Sequence, residues 1–169
     1  MNTFKTLVVG LFISLLFLGC SSSENNTQNV EPKLVVNNSL ANLSLNDQNK
    51  KSHSVTADTK ILIFAFSKDM GHACNDFFET KDASYLDKNN ALFIADVSSA
   101  PSVIRSMFIL PGLKDFKHTV LVIDDETIAA NYKAGIDSEK IVIVNLDNNI
   151  ITSIETVTTA HEMAKKIEG

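Results

Sequence analysis

Met70, His72 and Cys74 recur at every second position in the stretch Phe66-Ser-Lys-Asp-Met-Gly-His-Ala-Cys74. Thioether, imidazole and thiolate are soft ligands, and together they suit Cu(I). A two-residue spacing points three side chains the same way only in an extended segment; a helix starting there would scatter them. Cys74 alone is a candidate nucleophile or redox sensor if it stands at a helix N-terminus, where unpaired N–H groups and the macrodipole favour the thiolate. Against that, Asp69 and Asp76 oppose ionisation, and cysteine is among the most often buried residues. An inert structural thiol, a single-thiol site and a copper site all remain open on these residues.

Other chemistry-bearing residues have simpler readings. His118 and Lys117 precede an apolar run and read as polar groups at a strand start. Asp124, Asp125 and Glu126 are explained by capping and by first-turn acids of a following helix. Arg105 is the chain's one arginine, suited to an ion pair with a carboxylate such as Asp96 or to an anion. No G-x-S-x-G elbow supports a hydrolase, and no cofactor fingerprint is present. With 15 basic and 20 acidic residues and a net charge of −5, the chain has no basic stripe to neutralise phosphates. Nucleic acid is not an expected partner.

The N-terminus bears on compartment. Lys5 precedes the apolar run Thr6 to Leu18, which is too short to span a bilayer and has signal-segment proportions. The following Phe17-Leu-Gly-Cys20 resembles the bacterial lipobox, with Phe17 where leucine is preferred. That resemblance implies removal of residues 1–19, lipidation of Cys20, and, with Ser21 and Ser22 next, an outer-membrane lipoprotein facing the periplasm. The alternative is an ordinary signal peptide with an incidental cysteine. If Cys20 carries lipid, Cys74 is left with no cysteine to pair with internally. Residues 20–32, rich in Ser, Asn and Glu, read as the lipidated cysteine and a flexible tether. Residues 33–169 are long enough for one core.

Periodicity and punctuation place the elements. Leu40 to Asp47 alternates and turns through Gln48 to Lys51 toward His53 to Val55, a hairpin. Lys60 to Phe66, Ala91 to Val97 and Thr119 to Ile123 are continuous apolar runs, the pattern of strands buried on both faces. Cys74 to Asp87 reads as a helix burying Phe77, Phe78 and Leu86. Another starts at a Ser99 cap with Pro101 in its first turn, and Pro111-Gly112 is expected to end it. A third is capped by Asp124 or Asp125 and runs through Tyr132. Lys140 to Leu146 and Ile150 to Ile154 flank Asp147-Asn-Asn149 as a second hairpin, and Thr158 or Thr159 caps a last helix to Lys166. The expectation is an α/β fold: a mainly parallel central sheet, helices on both faces, and an antiparallel hairpin at each end of the chain.

This order resembles the thioredoxin-like fold in the version with an added N-terminal hairpin, found in peroxiredoxins, membrane-tethered thiol reductases of cytochrome c maturation and Sco copper chaperones. LSLNDQNKKSHSV followed by ILIFAF resembles the opening hairpin and first core strand; VIVNLDNNIITSI resembles the closing hairpin. In redox members a CxxC follows that core strand. Setting its second cysteine on Cys74 places the first on Gly71. Those members also carry a cis-proline before the closing hairpin, where this chain has Asp137-Ser-Glu-Lys140. The resemblance therefore implies a periplasmic binding or assembly protein with a protein partner and without dithiol activity. The alternative is a single-thiol or copper-handling protein using Cys74, His72 and Met70.

Overall fold

A computed structural model describes residues 30–169; the signal segment, Cys20 and most of the expected tether lie outside the described residues. One seven-stranded sheet organises the domain. Its strands are β1 (Ser44–Asp47), β2 (Ser52–Ser54), β3 (Ile61–Ala65), β4 (Ala91–Asp96), β5 (Leu121–Ile123), β6 (Ile141–Asp147) and β7 (Ile150–Val157), in the order β2-β1-β5-β4-β3-β6-β7. The helices are α1 (Lys68–Glu79), α2 (Tyr85–Lys88), α3 (Ser102–Ile104), α4 (Leu110–Leu113), α5 (Glu126–Lys133) and α6 (Ala160–Glu168), with a π-helical turn over Arg105–Ile109 joining α3 to α4. Among the described residues no helix is long and apolar enough to cross a membrane.

The expected α/β architecture and both hairpins are present. The parallel part is narrower than the alternation of strands and helices suggests: β5, β4 and β3 run parallel, and every other neighbouring pair is antiparallel. Hairpin strands necessarily reverse, and β6 returns down the open side of β3, so antiparallel pairing spreads inward from both hairpins. The closing hairpin turns where Asn148 and Asn149 both take positive φ, 47° and 66°. Asparagine tolerates that region better than other residues with a Cβ.

Two cores follow from the two covered faces. Leu62, Phe64, Ile94, Val142 and Val144 point to the side covered by α5, where Ala129 and Tyr132 meet them. Ile63, Phe93, Ile141 and Ile143 point to the other side, against Cys74 and Phe78 of α1 and Met163 and Ile167 of α6. This alternation is the two-residue period of strands buried on both faces. Gln48, at the turn of the first hairpin, is also buried: its Nε2 donates to the His118 carbonyl over 2.8 Å and its Oε1 accepts from Val120 N–H over 2.9 Å. The amide replaces ladder bonds where β5 has not yet begun.

Three helix expectations need correction. The segment after β3 becomes helical at Lys68, six residues before Cys74, and ends at Glu79; Tyr85–Lys88 is a separate turn carrying buried Leu86. Pro101 rather than Ser99 occupies the N-cap of α3. Pro111 and Gly112 lie inside the helical run rather than ending it. A proline there has no N–H to donate, and its ring crowds the preceding turn. The π turn before it, closed by Leu110 N–H on the Arg105 carbonyl, is wider and accommodates both. Elsewhere the capping expectations hold. Asp125 Oδ1 accepts from Thr127 and Ile128 N–H at 2.8 and 2.9 Å. Thr159 and Glu162 form a reciprocal capping box at α6.

Candidate functional site

Met70, His72, Asp96 and Arg105, four of the residues with chemistry to offer, lie near the rim where β3 and β4 end and α1 begins. Ser67 is the N-cap of α1, in extended conformation, and its buried Oγ has no hydrogen-bond partner among the described residues. The pairing of Ala65 with Ile141 sets Lys140 alongside Phe66 and Ser67. Lys140, in the stretch 137–141 where the resemblance expects a proline, is paired with Asp137 over 3.1 Å.

Gly71, which the resemblance sets at the attacking cysteine, lies one turn into α1. Gly71 is inside the helix, its N–H already donated to the Ser67 carbonyl over 2.9 Å. The unpaired N–H groups that stabilise a thiolate lie before it, on the first turn from Ser67 to Met70. Cys74 is farther along still, in the body of α1 rather than at its N-terminus. It is 0% exposed, its thiol donates to the Met163 Sδ of α6 over 3.6 Å, and burial pushes its pKa up to about 12. Such a thiol remains protonated at neutral pH and out of reach of a substrate.

The α1 helix also separates the candidate copper ligands. Met70 and Cys74, four residues apart, share the face packed on the core, whereas His72 is exposed on the other side. The three side chains do not converge. Among the described residues no group of three His, Cys, Asp or Glu side chains is placed to hold a metal ion.

Asp96 and Arg105, at the rim, are engaged internally. Asp96 has a fully buried side chain; one oxygen lies 2.6 Å from Lys133 Nζ and the other accepts from Ser98 N–H over 2.8 Å. Arg105 does not pair with Asp96, as its charge suggested. Its Nη1 donates to the carbonyls of Ser98, Ala100 and Val97 at 2.8, 3.3 and 3.4 Å, holding the loop after β4 in place. Beside Lys140 a shallow groove of about 320 Å³ is lined by Thr156, Thr158, Glu162, Lys165 and Lys166. It offers threonine hydroxyls, one carboxylate and lysines, and no thiol.

His118 lies at the far end of the strands. It is 3% exposed, with Nε2 3.0 Å from Asn75 Oδ1 and Nδ1 3.7 Å from Glu79 Oε1, packed among Phe78, Phe93 and Phe116. Burial lowers its pKa, Glu79 opposes the shift, and Lys117 adds to it. Reading His118 as a plain strand-start group missed this buried contact, which joins β5 to α1. Asn75 gave no signal in the sequence because its burial depends on which face of α1 turns inward.

These features define a thioredoxin-like fold. No family model and no curated relative matches the sequence; solved structures match its shape. A peroxiredoxin-like protein from Aquifex aeolicus superposes with a TM-score of 0.51 at 10% identity, over 82% of this chain and 89% of that one. A protein from Bacteroides thetaiotaomicron, named provisionally as a disulfide isomerase, gives 0.51 at 10% identity over 79% and 86%. Reduced Prx3 from Vibrio vulnificus gives 0.50 at 14% identity over 80% and 99%. Identities this low establish the fold alone.

Proposed function

We propose that this chain is a lipid-anchored, periplasm-facing thioredoxin-like protein that acts by binding or assembling with a protein partner, without dithiol redox activity. The observation that carries this reading is the position of the thiol: Cys74 is fully buried against Met163, while the N-cap of α1 holds Ser67. Dithiol exchange requires an accessible thiolate at the attacking position and a second thiol to resolve the mixed disulfide. Neither requirement is met by the side chains at the rim. The anchor rests on the lipobox-like FLGC at Cys20 and places the protein at the outer membrane.

The test has two parts. Insulin-disulfide reduction by the purified chain should not exceed the dithiothreitol background, and cross-linking in intact cells should recover a defined envelope protein. Turnover of insulin, or a stable mixed disulfide through Cys74, would overturn the non-redox reading. Labelled palmitate should enter the wild-type chain and not a Cys20→Ala variant; labelling of both, or of neither, would overturn the anchor.

A further inference from the structure

The described residues expose an apolar face that the site does not use. Val103, Ile104, Met107 and Phe108 are 60, 44, 63 and 64% exposed. Their spacing puts them on one side of α3 and the π turn, while Leu113 turns back into the domain. Between Pro101 and Leu113 the only charged side chain is Arg105, and its guanidinium is drawn inward onto the loop carbonyls. The outward side is therefore uncharged as well as apolar. Contiguous patches of this kind mark contact with a partner or a membrane.

The path of the chain selects between those occupants. Glu31 N–H donates to Asn131 Oδ1 and Lys33 N–H to the Asn131 carbonyl, both at 3.0 Å, so the N-terminal segment joins the domain on α5. Two residues on, Lys133 pairs with Asp96, whose other oxygen holds Ser98 in the loop bound by Arg105. The ion pair ties α5 to the end of β4, and the Ser98 loop that Asp96 holds leads directly into α3. A run of contacts thus links the point where the chain joins the domain to the base of the segment that carries the apolar face. Ile128 on α5, and Val35 and Val36 just after Lys33, add exposed apolar side chains near that junction. The intervening Ser21 to Asn29, even fully extended, spans only about 30 Å. A domain held so close to a bilayer meets it at high effective concentration.

We propose that the face formed by Val103, Ile104, Met107 and Phe108 seats in the interfacial region of the bilayer that carries the anchor, fixing the orientation of the domain. This rests on the lipid-anchor reading. Four apolar side chains with no outward charge suit shallow insertion at the headgroup and acyl boundary.

The chain contains no tryptophan, so a single introduced indole is an unambiguous reporter. The full chain carrying Phe108→Trp, purified from membranes and reconstituted into phosphatidylethanolamine and phosphatidylglycerol vesicles, should show blue-shifted emission that brominated lipid quenches. Met107→Trp should behave in the same way. Lys88→Trp, on α2 at the opposite end of the strands, should be neither shifted nor quenched. Mass spectrometry of the same samples reports acylation of Cys20. Acylated protein with an unquenched indole at 107 and 108 overturns the orientation alone; absence of acyl mass overturns the anchor and the orientation together. A blue shift that depends on protein concentration and not on vesicles overturns the proposal in favour of a second copy of the chain.

Discussion

The Cys74 thiol donates to the Met163 thioether over 3.6 Å, joining α1 to α6 across the core face of the sheet. Both residues are completely buried. At the level of packing, this contact makes the thiol part of the seam between two helices, and that placement governs its chemistry.

Alkylation should report the burial directly. With its pKa pushed up to about 12, native Cys74 should react with a disulfide reagent at pH 8 far more slowly than a free cysteine of pKa about 8.5. In denaturant it should react at the free rate. Rapid native reaction at pH 8 would contradict the packing described here.

Moving the thiol to the helix N-terminus should lower its pKa. Ser67→Cys puts a sulfur at the N-cap of α1 and breaks no hydrogen bond among the described residues, where Ser67 Oγ has none. The helix N-terminus should lower that thiol's pKa below about 8.5. Gly71→Cys should not show this depression, since the Gly71 N–H is already used within the helix. The pH dependence of alkylation, in a Cys74→Ala background, compares the two positions.

Stability should depend on pH through His118. Burial lowers its pKa in the folded state below the ordinary value of 6.5, so the unfolded chain takes up a proton that the folded chain resists. Stability from this group is therefore complete above about pH 6.5 and falls as the pH drops below it, levelling off below the folded-state pKa. Urea midpoints measured between pH 8 and pH 5 should decline in the wild type, and His118→Gln should flatten that decline. Equal slopes for the two proteins would remove His118 as the cause.

Gly71 offers a gain in stability. A Cβ added there meets nothing within 4 Å, and the residue has ordinary helical φ. Gly71→Ala should stabilise the domain by about 0.4–1 kcal/mol by reducing the freedom of the unfolded chain. The shift in urea midpoint at unchanged m-value measures it. A loss of stability would show that the glycine serves a backbone approach absent from this conformation.

Much of the fold was legible because its signals are local. The apolar runs Ile61 to Ala65 and Ala91 to Asp96, the Asp125 cap and the Thr159-Glu162 box each lie within one element and depend on neighbouring residues. The start of α1 was misplaced because Ser67, which makes no side-chain cap bond, announces it weakly. The π turn was missed because Pro111 reads as a breaker in any local window. The site was less legible. Met70, His72 and Cys74 suggest a ligand set when written in a line, and the 3.6-residue turn sends His72 away from the other two.

By itself the sequence determined the order of strands and helices, both hairpins, and the lack of a second cysteine near Cys74, since these depend on residue type and near spacing. Only the tertiary structure decided that Cys74 is shut against Met163, that Asp96 belongs to Lys133 rather than Arg105, and that the face around Phe108 is left open. Each depends on which elements pack against which, and burial sets both the ionisation of a thiol and the fate of an apolar side chain.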